Sequence, residues 1–187
     1  MKPTNWQNIT PQYDGEIRKL PPGGYVCKIV NMINVPEKEY VMMVYDIAQG
    51  EYAGFYSNDT REISKQWSHA ISLSYKDTAN ALLKGRMERI EKSNPGFNPF
   101  AAWDAERFDM FAGRLFGGVI GEEEYEASDG TIKIGMKLQG IYEVATITSG
   151  QFKVPALKPL NKNGKKPAGA QTTLDVQYAN SVDVPFA

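Results

Sequence analysis

Cysteine occurs once in this 187-residue chain, at Cys27, and histidine once, at His69. One thiol excludes an internal disulfide framework, and one thiol with one imidazole is too little for the usual zinc cluster. Cys27 stands in the alternating run YVCKIV, so it reads as a small buried apolar residue of a reduced intracellular protein. An excess of either charge is missing too: 21 Lys and Arg stand against 22 Asp and Glu, a net charge of -1 at pH 7. Attraction to a polyanion therefore has to come from local patches and not from the field of the whole chain. No apolar run is long enough to span a bilayer, and MKPTNWQNITPQYDG does not join a basic start to an apolar stretch as a signal peptide does. These absences lead to the expectation of a cytoplasmic protein with no membrane segment. A phosphate loop is also lacking, because AGRLFGGVIG contains no Gly-Lys-Ser/Thr and runs into a strand. Its Gly113, Gly117, Gly118 and Gly121 read instead as relief of crowding at the corners of a coiled sheet.

What is present suffices for a core, since 42% of residues are hydrophobic and 23% charged. Residues 1–23 form a polar extension that ends in LPPGG, where proline and glycine allow only extended or turning backbone. From Tyr25, YVCKIVNMINV alternates, with Tyr25, Cys27, Ile29 and either Met32 or Ile33 on one face and Lys28 on the other. YVMMVYDIA follows the VPEKE turn as a second strand, and a short third strand is expected near residues 54–57. Helical spacing of Ala79, Leu82, Leu83, Met87 and Ile90, with Asp77 as a cap and Asn94-Pro95-Gly96 as a stop, predicts one helix. Two further long runs are joined by Ser128-Asp129-Gly130, a strong hairpin signal. The order predicts a mostly β domain over 24–150: a five-stranded OB-like barrel with one helix between strands three and four. Residues 151–187 then form a basic linker and interaction tail, with Lys153, Lys158, Lys162, Lys165 and Lys166 and no acid between Glu143 and Asp175.

The ending Asp183-Val184-Pro185-Phe186 resembles the carboxyl tip of bacterial single-stranded DNA-binding proteins, in which an acidic run ends in Ile-Pro-Phe and recruits replication and repair enzymes. Here fewer acids precede the ring, and Ala187 follows it. The remainder is similar to a family of bacteriophage and prophage replication-cluster proteins, on NWQNI at 5–9, LPPGGYVCKI at 20–29, VPEKEY at 35–40, SNPG at 93–96, GEEEY at 121–125 and GQFKVP at 150–155. The resemblance implies a non-catalytic single-stranded DNA-binding protein of phage replication or recombination. It implies no cofactor, and a replication or recombination partner held by Asp183, Pro185 and Phe186. Homo-oligomerisation is compatible with it.

A binder of single strands needs flat rings for bases and cations beside the backbone path. The expected cations are Lys28, Arg61, Lys65, Lys76, Arg107, Lys133 and Lys137, and the expected rings are Trp67, Tyr75 and Trp103, with Phe97, Phe100 and His69 near them. Lys133 and Lys137 share a parity in IKIGMKL and are expected on one sheet face. The alternative is a regulatory interaction module that never touches DNA, with Trp67, Tyr75 and Trp103 buried. A metal-dependent nuclease is the weaker alternative. Glu122, Glu123 and Glu124 would need help from Asp109, Asp129 or Glu143, since in a strand Glu123 points away from its two neighbours. His69 beside Ser68 and Ser72 lacks an acid in an assignable arrangement, so it is not read as a general base.

Overall fold

A computed structural model describes residues 20–160. Five antiparallel strands form one sheet in the order β3-β2-β1-β4-β5: β1 (Gly23–Val35), β2 (Tyr40–Ile47), β3 (Ala70–Ser74), β4 (Leu115–Glu126) and β5 (Ile132–Tyr142). The principal core collects the inward-facing residues of each strand, with parity changing where the ladders between β1 and β2 and between β4 and β5 shift register. Cys27 and Ile29 of β1 meet Val41, Met43, Tyr45 and Ile47 of β2, with Leu73, Phe116, Ile120, Leu138 and Ile141 around them. Helix α1 (Asn80–Ser93) closes this core with Met87 and Ile90, in keeping with their helical spacing. Asp77 heads a short helical turn before α1, and α1 itself begins without a side-chain cap. Helix α2 (Pro99–Asp104) is capped by Asn98, whose Oδ1 accepts from the Ala101 amide at 3.0 Å. On the opposite sheet face, α3 (Val144–Thr148) sets Ile147 against Val26, Val119 and Tyr142.

The expected OB-like barrel is not formed. The sheet is open, with β3 and β5 as its two edges, and these are not paired with each other. The cause lies before β3. The polar stretch from Ser57 to Gln66 has no alternation to support a ladder, and it folds into turns. β3 therefore starts only at Ala70 and runs five residues. A helical turn at Trp67–His69 stands beside β5 where a closing strand would have to run, and the Lys137 ammonium donates to the Trp67 carbonyl there. The strand expected near residues 54–57 is likewise a set of turns, stitched by Asp46, whose Oδ1 accepts from the amides of Ile47 at 2.8 Å and Tyr56 at 2.9 Å.

The glycines of β4 do not serve barrel corners. A side chain at Gly117 would lie 2.5 Å from Ile147 Cγ1 and 2.6 Å from the Glu143 carbonyl oxygen, so this glycine admits α3 onto the sheet. The start of the basic tail also belongs to the fold. Phe152 packs against the Val26–Val119 cluster, and Lys158 lies parallel to β4, exchanging backbone hydrogen bonds with Glu122 (3.0 Å) and Glu124 (2.9 Å).

Candidate nucleic-acid interface

The hairpin of β4 and β5 projects past the end of β1, whose pairing with β4 stops at Ile120. Its turn is built by Asp129. The carboxylate accepts from the Thr131 hydroxyl (2.5 Å) and amide (3.0 Å), which holds it below the usual carboxylate range. Beyond the turn the register pairs Tyr125 with Lys133, Glu123 with Gly135 and Gly121 with Lys137, so these six positions share one face. The other face carries Glu122, Glu124 and Glu126 opposite Met136, Ile134 and Ile132.

On the first face an aromatic ring lies among cations. Tyr125 is 44% exposed, and its ring crosses above Gly135, where a side chain would come within 3.1 Å of Cε1. The missing side chain thus lets a ring lie between Lys133 and Lys137. Trp67, also 44% exposed, adjoins Lys137 through the carbonyl that accepts from its ammonium. Lys133 is held by Asp129 at 3.3 Å, an exposed pair that a phosphate can replace at little cost. The single acid on this face, Glu123, is met by Lys158 at 3.4 Å.

The expected site residues divide. Lys133, Lys137 and Trp67 come together at the β5 end of the sheet. Arg61 and Lys65 lie in the turns that lead to Trp67, but each has an acid: Asp59 binds Arg61 through Nε and Nη2, and Glu62 lies 3.1 Å from Lys65. Arg61 holds the Asp59 carboxyl down to about 2. Tyr75 and Trp103 do not join them. They pack on the principal core and on each other, edge to face at 6.3 Å, with the Tyr75 hydroxyl donating to Asn34 Oδ1. Lys76 faces Glu39 at 4.0 Å, and Arg107 is fixed by Asp109 at 2.8 Å. Phe97 is buried and Phe100 is packed on the same core. Lys28 is level with Leu115 of β4, whereas Lys137 is level with Gly121, so Lys28 lies away from Lys133 and Lys137. Asp183, Pro185 and Phe186 lie outside the described residues.

Tyr125 and Lys158 were not singled out by sequence reasoning as members of the site. The signal for Tyr125 depended on loop length: a two-residue Asp129-Gly130 turn would set it opposite Ile134, whereas the three-residue loop 128–130, with Gly130 at φ 78, sets it opposite Lys133. Lys158 had no such signal, because its place beside Glu123 depends on a non-local parallel bridge.

Among the described residues no group of three or more His, Cys, Asp or Glu side chains is placed to hold a metal ion. Glu122 and Glu124 share a face, Glu123 takes the opposite one, and Glu124 Oε2 accepts from the Leu160 amide at 3.0 Å. His69 is 3% exposed and stacks on Tyr56 at 4.5 Å. Ser68 Oγ (3.1 Å) and Asp59 Oδ2 (3.7 Å) both approach the same ring nitrogen, Nδ1, so the three groups do not form a hydroxyl–imidazole–carboxylate relay. Among the described residues no helix is long and apolar enough to cross a membrane. Comparison with protein-family models and with curated proteins gives no match.

Proposed function

We propose that the chain binds single-stranded DNA, without catalysis, along the hairpin face that carries Tyr125, Lys133 and Lys137 and across the adjoining Trp67. The observation that carries this reading is the coincidence of one exposed ring, Tyr125, with two lysines on one protruding face, over a glycine that leaves room for the ring, beside a turn that carries the exposed Trp67. Bases stack on such rings whatever their sequence, and the lysines meet phosphates. An open sheet supports the reading as well as a closed one would, because the track runs along a hairpin and needs no barrel groove. In the same proposal Asp183, Pro185 and Phe186 recruit a replication or recombination partner, the ring filling an apolar pocket and the acid meeting a basic rim. Two of the three rings named for the interaction-module alternative, Tyr75 and Trp103, do pack inward, but Trp67 does not.

Titration of labelled single-stranded DNA, duplex DNA and single-stranded RNA at several salt concentrations tests the proposal. Trp67→Ala and Tyr125→Ala each remove a ring that contributes about 1–3 kcal/mol per stacked base, which is roughly 5- to 150-fold in affinity. Lys133→Ala lowers the salt slope by about 0.7. Full affinity in the Trp67→Ala/Tyr125→Ala double variant, or an affinity indifferent to salt, overturns the assignment.

A further inference from the structure

Edge strands normally carry devices against pairing with another chain: a lysine or proline on the edge, a bulge, or a covering element. The outer half of β5 has no proline and no bulge, its one lysine, Lys133, lies on the face opposite Ile132 and Ile134, and among the described residues no element covers its open side. The backbone bonds between Lys158 and both Glu122 and Glu124 turn those two residues away from β5, which leaves Glu123 and Tyr125 to bond Gly135 and Lys133. By alternation, Ile132, Ile134 and Met136 direct their amides and carbonyls outward from the sheet. Their side chains share the hairpin's other face, where Ile132 is 52% and Ile134 55% exposed, the two most exposed large apolar residues among those described. Among the described residues, an unpaired ladder edge and an exposed pair of isoleucines thus coincide.

We infer that two copies of this chain pair β5 to β5, antiparallel, about a two-fold axis through Ile134. The occupant follows from the register. Centring the axis on Lys133 would set that lysine against the partner's Lys133, and centring it on Gly135 would set Lys133 against the partner's Lys137. Like charges directly opposite each other are destabilising. Centring on Ile134 places Lys133 against the partner's Gly135 and Lys137 against the partner's Thr131, so no lysine meets a lysine. It also lays Ile134 on the partner's Ile134 and Ile132 on the partner's Met136, covering the exposed side chains with one another. The outward-bonding residues meet outward-bonding residues, which allows about six backbone hydrogen bonds. The ladder stops where the Trp67 turn flanks β5 at Lys137. A self-complementary edge of this kind is an isologous contact and closes at two copies. It is smaller than the ~1,600 Å² of a standard stable interface, so the dimer forms with rising concentration. The pairing stands without the nucleic-acid reading; where that reading holds, the tracks of both copies lie on one side of a continuous sheet.

Cysteine crosslinking of the full chain without nucleic acid tests both the contact and its register. Opposed residues of a hydrogen-bonded antiparallel pair sit ~5.5 Å apart at Cα, within disulfide reach, and native Cys27 is fully buried. Ile134→Cys is expected to oxidise to a covalent dimer, and Ile132→Cys is not, whereas the double variant Ile132→Cys/Met136→Cys is. Sedimentation velocity of the unaltered chain should show mass rising to twice the monomer with concentration. Ile134→Lys should abolish this with an unchanged circular dichroism spectrum. Equal linking of Ile134→Cys and Ile132→Cys would mean random collision and would sink the register. A monomer at every concentration, with Ile134→Cys unlinked and shielded from thiol reagents, would give the edge to the chain's own residues 161–187 and overturn the pairing.

Discussion

His69 shows how one side chain ties the turn before β3 to the sheet. Its ring lies flat on Tyr56 and edge-on to Tyr45 at 6.4 Å, and burial holds its pKa below the ordinary imidazole value, with Asp59 opposing that shift. A depressed imidazole pKa means that the unfolded chain takes up the proton first. The stability His69 contributes is therefore present above about pH 6.5 and is lost as pH falls from there toward its folded value. Denaturant midpoints measured between neutral and mildly acid pH should decline, and His69→Phe should flatten the decline over that window. A second decline at lower pH belongs to Asp59, whose carboxyl is held near 2 by Arg61, and it is retained in the His69→Phe variant. The flattening therefore isolates the imidazole. At this scale the sequence was legible where chemistry is intrinsic: Trp67, Lys133 and Lys137 carry the right groups and hold exposed or half-buried places. It was not legible for Tyr75, Trp103, Arg61 and Arg107. Nothing in a residue's identity says whether a ring is packed on a core or a guanidinium is already held by a neighbouring acid.

Between elements, Asn94 joins the end of α1 to the start of β4. Its Nδ2 donates to the carbonyls of Ile90 and Leu115, at 2.7 and 2.8 Å, and its Oδ1 accepts from the Leu115 amide at 2.9 Å. Asn94→Ala removes three hydrogen bonds, so a loss of about 2–3 kcal/mol is expected in chemical denaturation. Asn94→Asp keeps the acceptor but sets a carboxylate oxygen against the Ile90 and Leu115 carbonyls at the C-terminal end of α1, so it should lose at least as much. The Asn-Pro-Gly signal was read as a helix stop, which it is, but the side-chain clamp to a strand 21 residues away is a tertiary matter. Local rules located the elements whose pattern is complete within themselves: β1 by alternation, β2 as an apolar run after the VPEKE turn, α1 by its apolar spacing, and the β4–β5 hairpin by Asp129-Gly130. They failed at β3. Alternation over Ala70–Ser74 is too short to stand out, and glycine with aromatics at 54–57 imitated a strand where backbone turns are held by a buried aspartate at the end of β2.

At the scale of the whole molecule, the track proposed to bind single strands and the tip proposed to recruit a partner lie on separate parts of the chain. Removing residues 182–187 should leave affinity for labelled single-stranded DNA within about twofold, well below the effect expected of a stacked ring. The same truncation should abolish capture of a replication or recombination partner. Loss of DNA binding on truncation would show that the two roles are not divided in this way. What the sequence by itself determined is the order of strands and helix, the hairpin turn and the parity that sets Lys133 and Lys137 on one face, because alternation and turn chemistry act between residues close along the chain. Only the tertiary structure decided that the sheet stays open, that Tyr125 joins the lysines while Tyr75 and Trp103 leave them, and that Lys158 neutralises Glu123. Those outcomes depend on which distant segments reach one another, and here the helical turn at Trp67–His69 stands where a closing strand would have had to run.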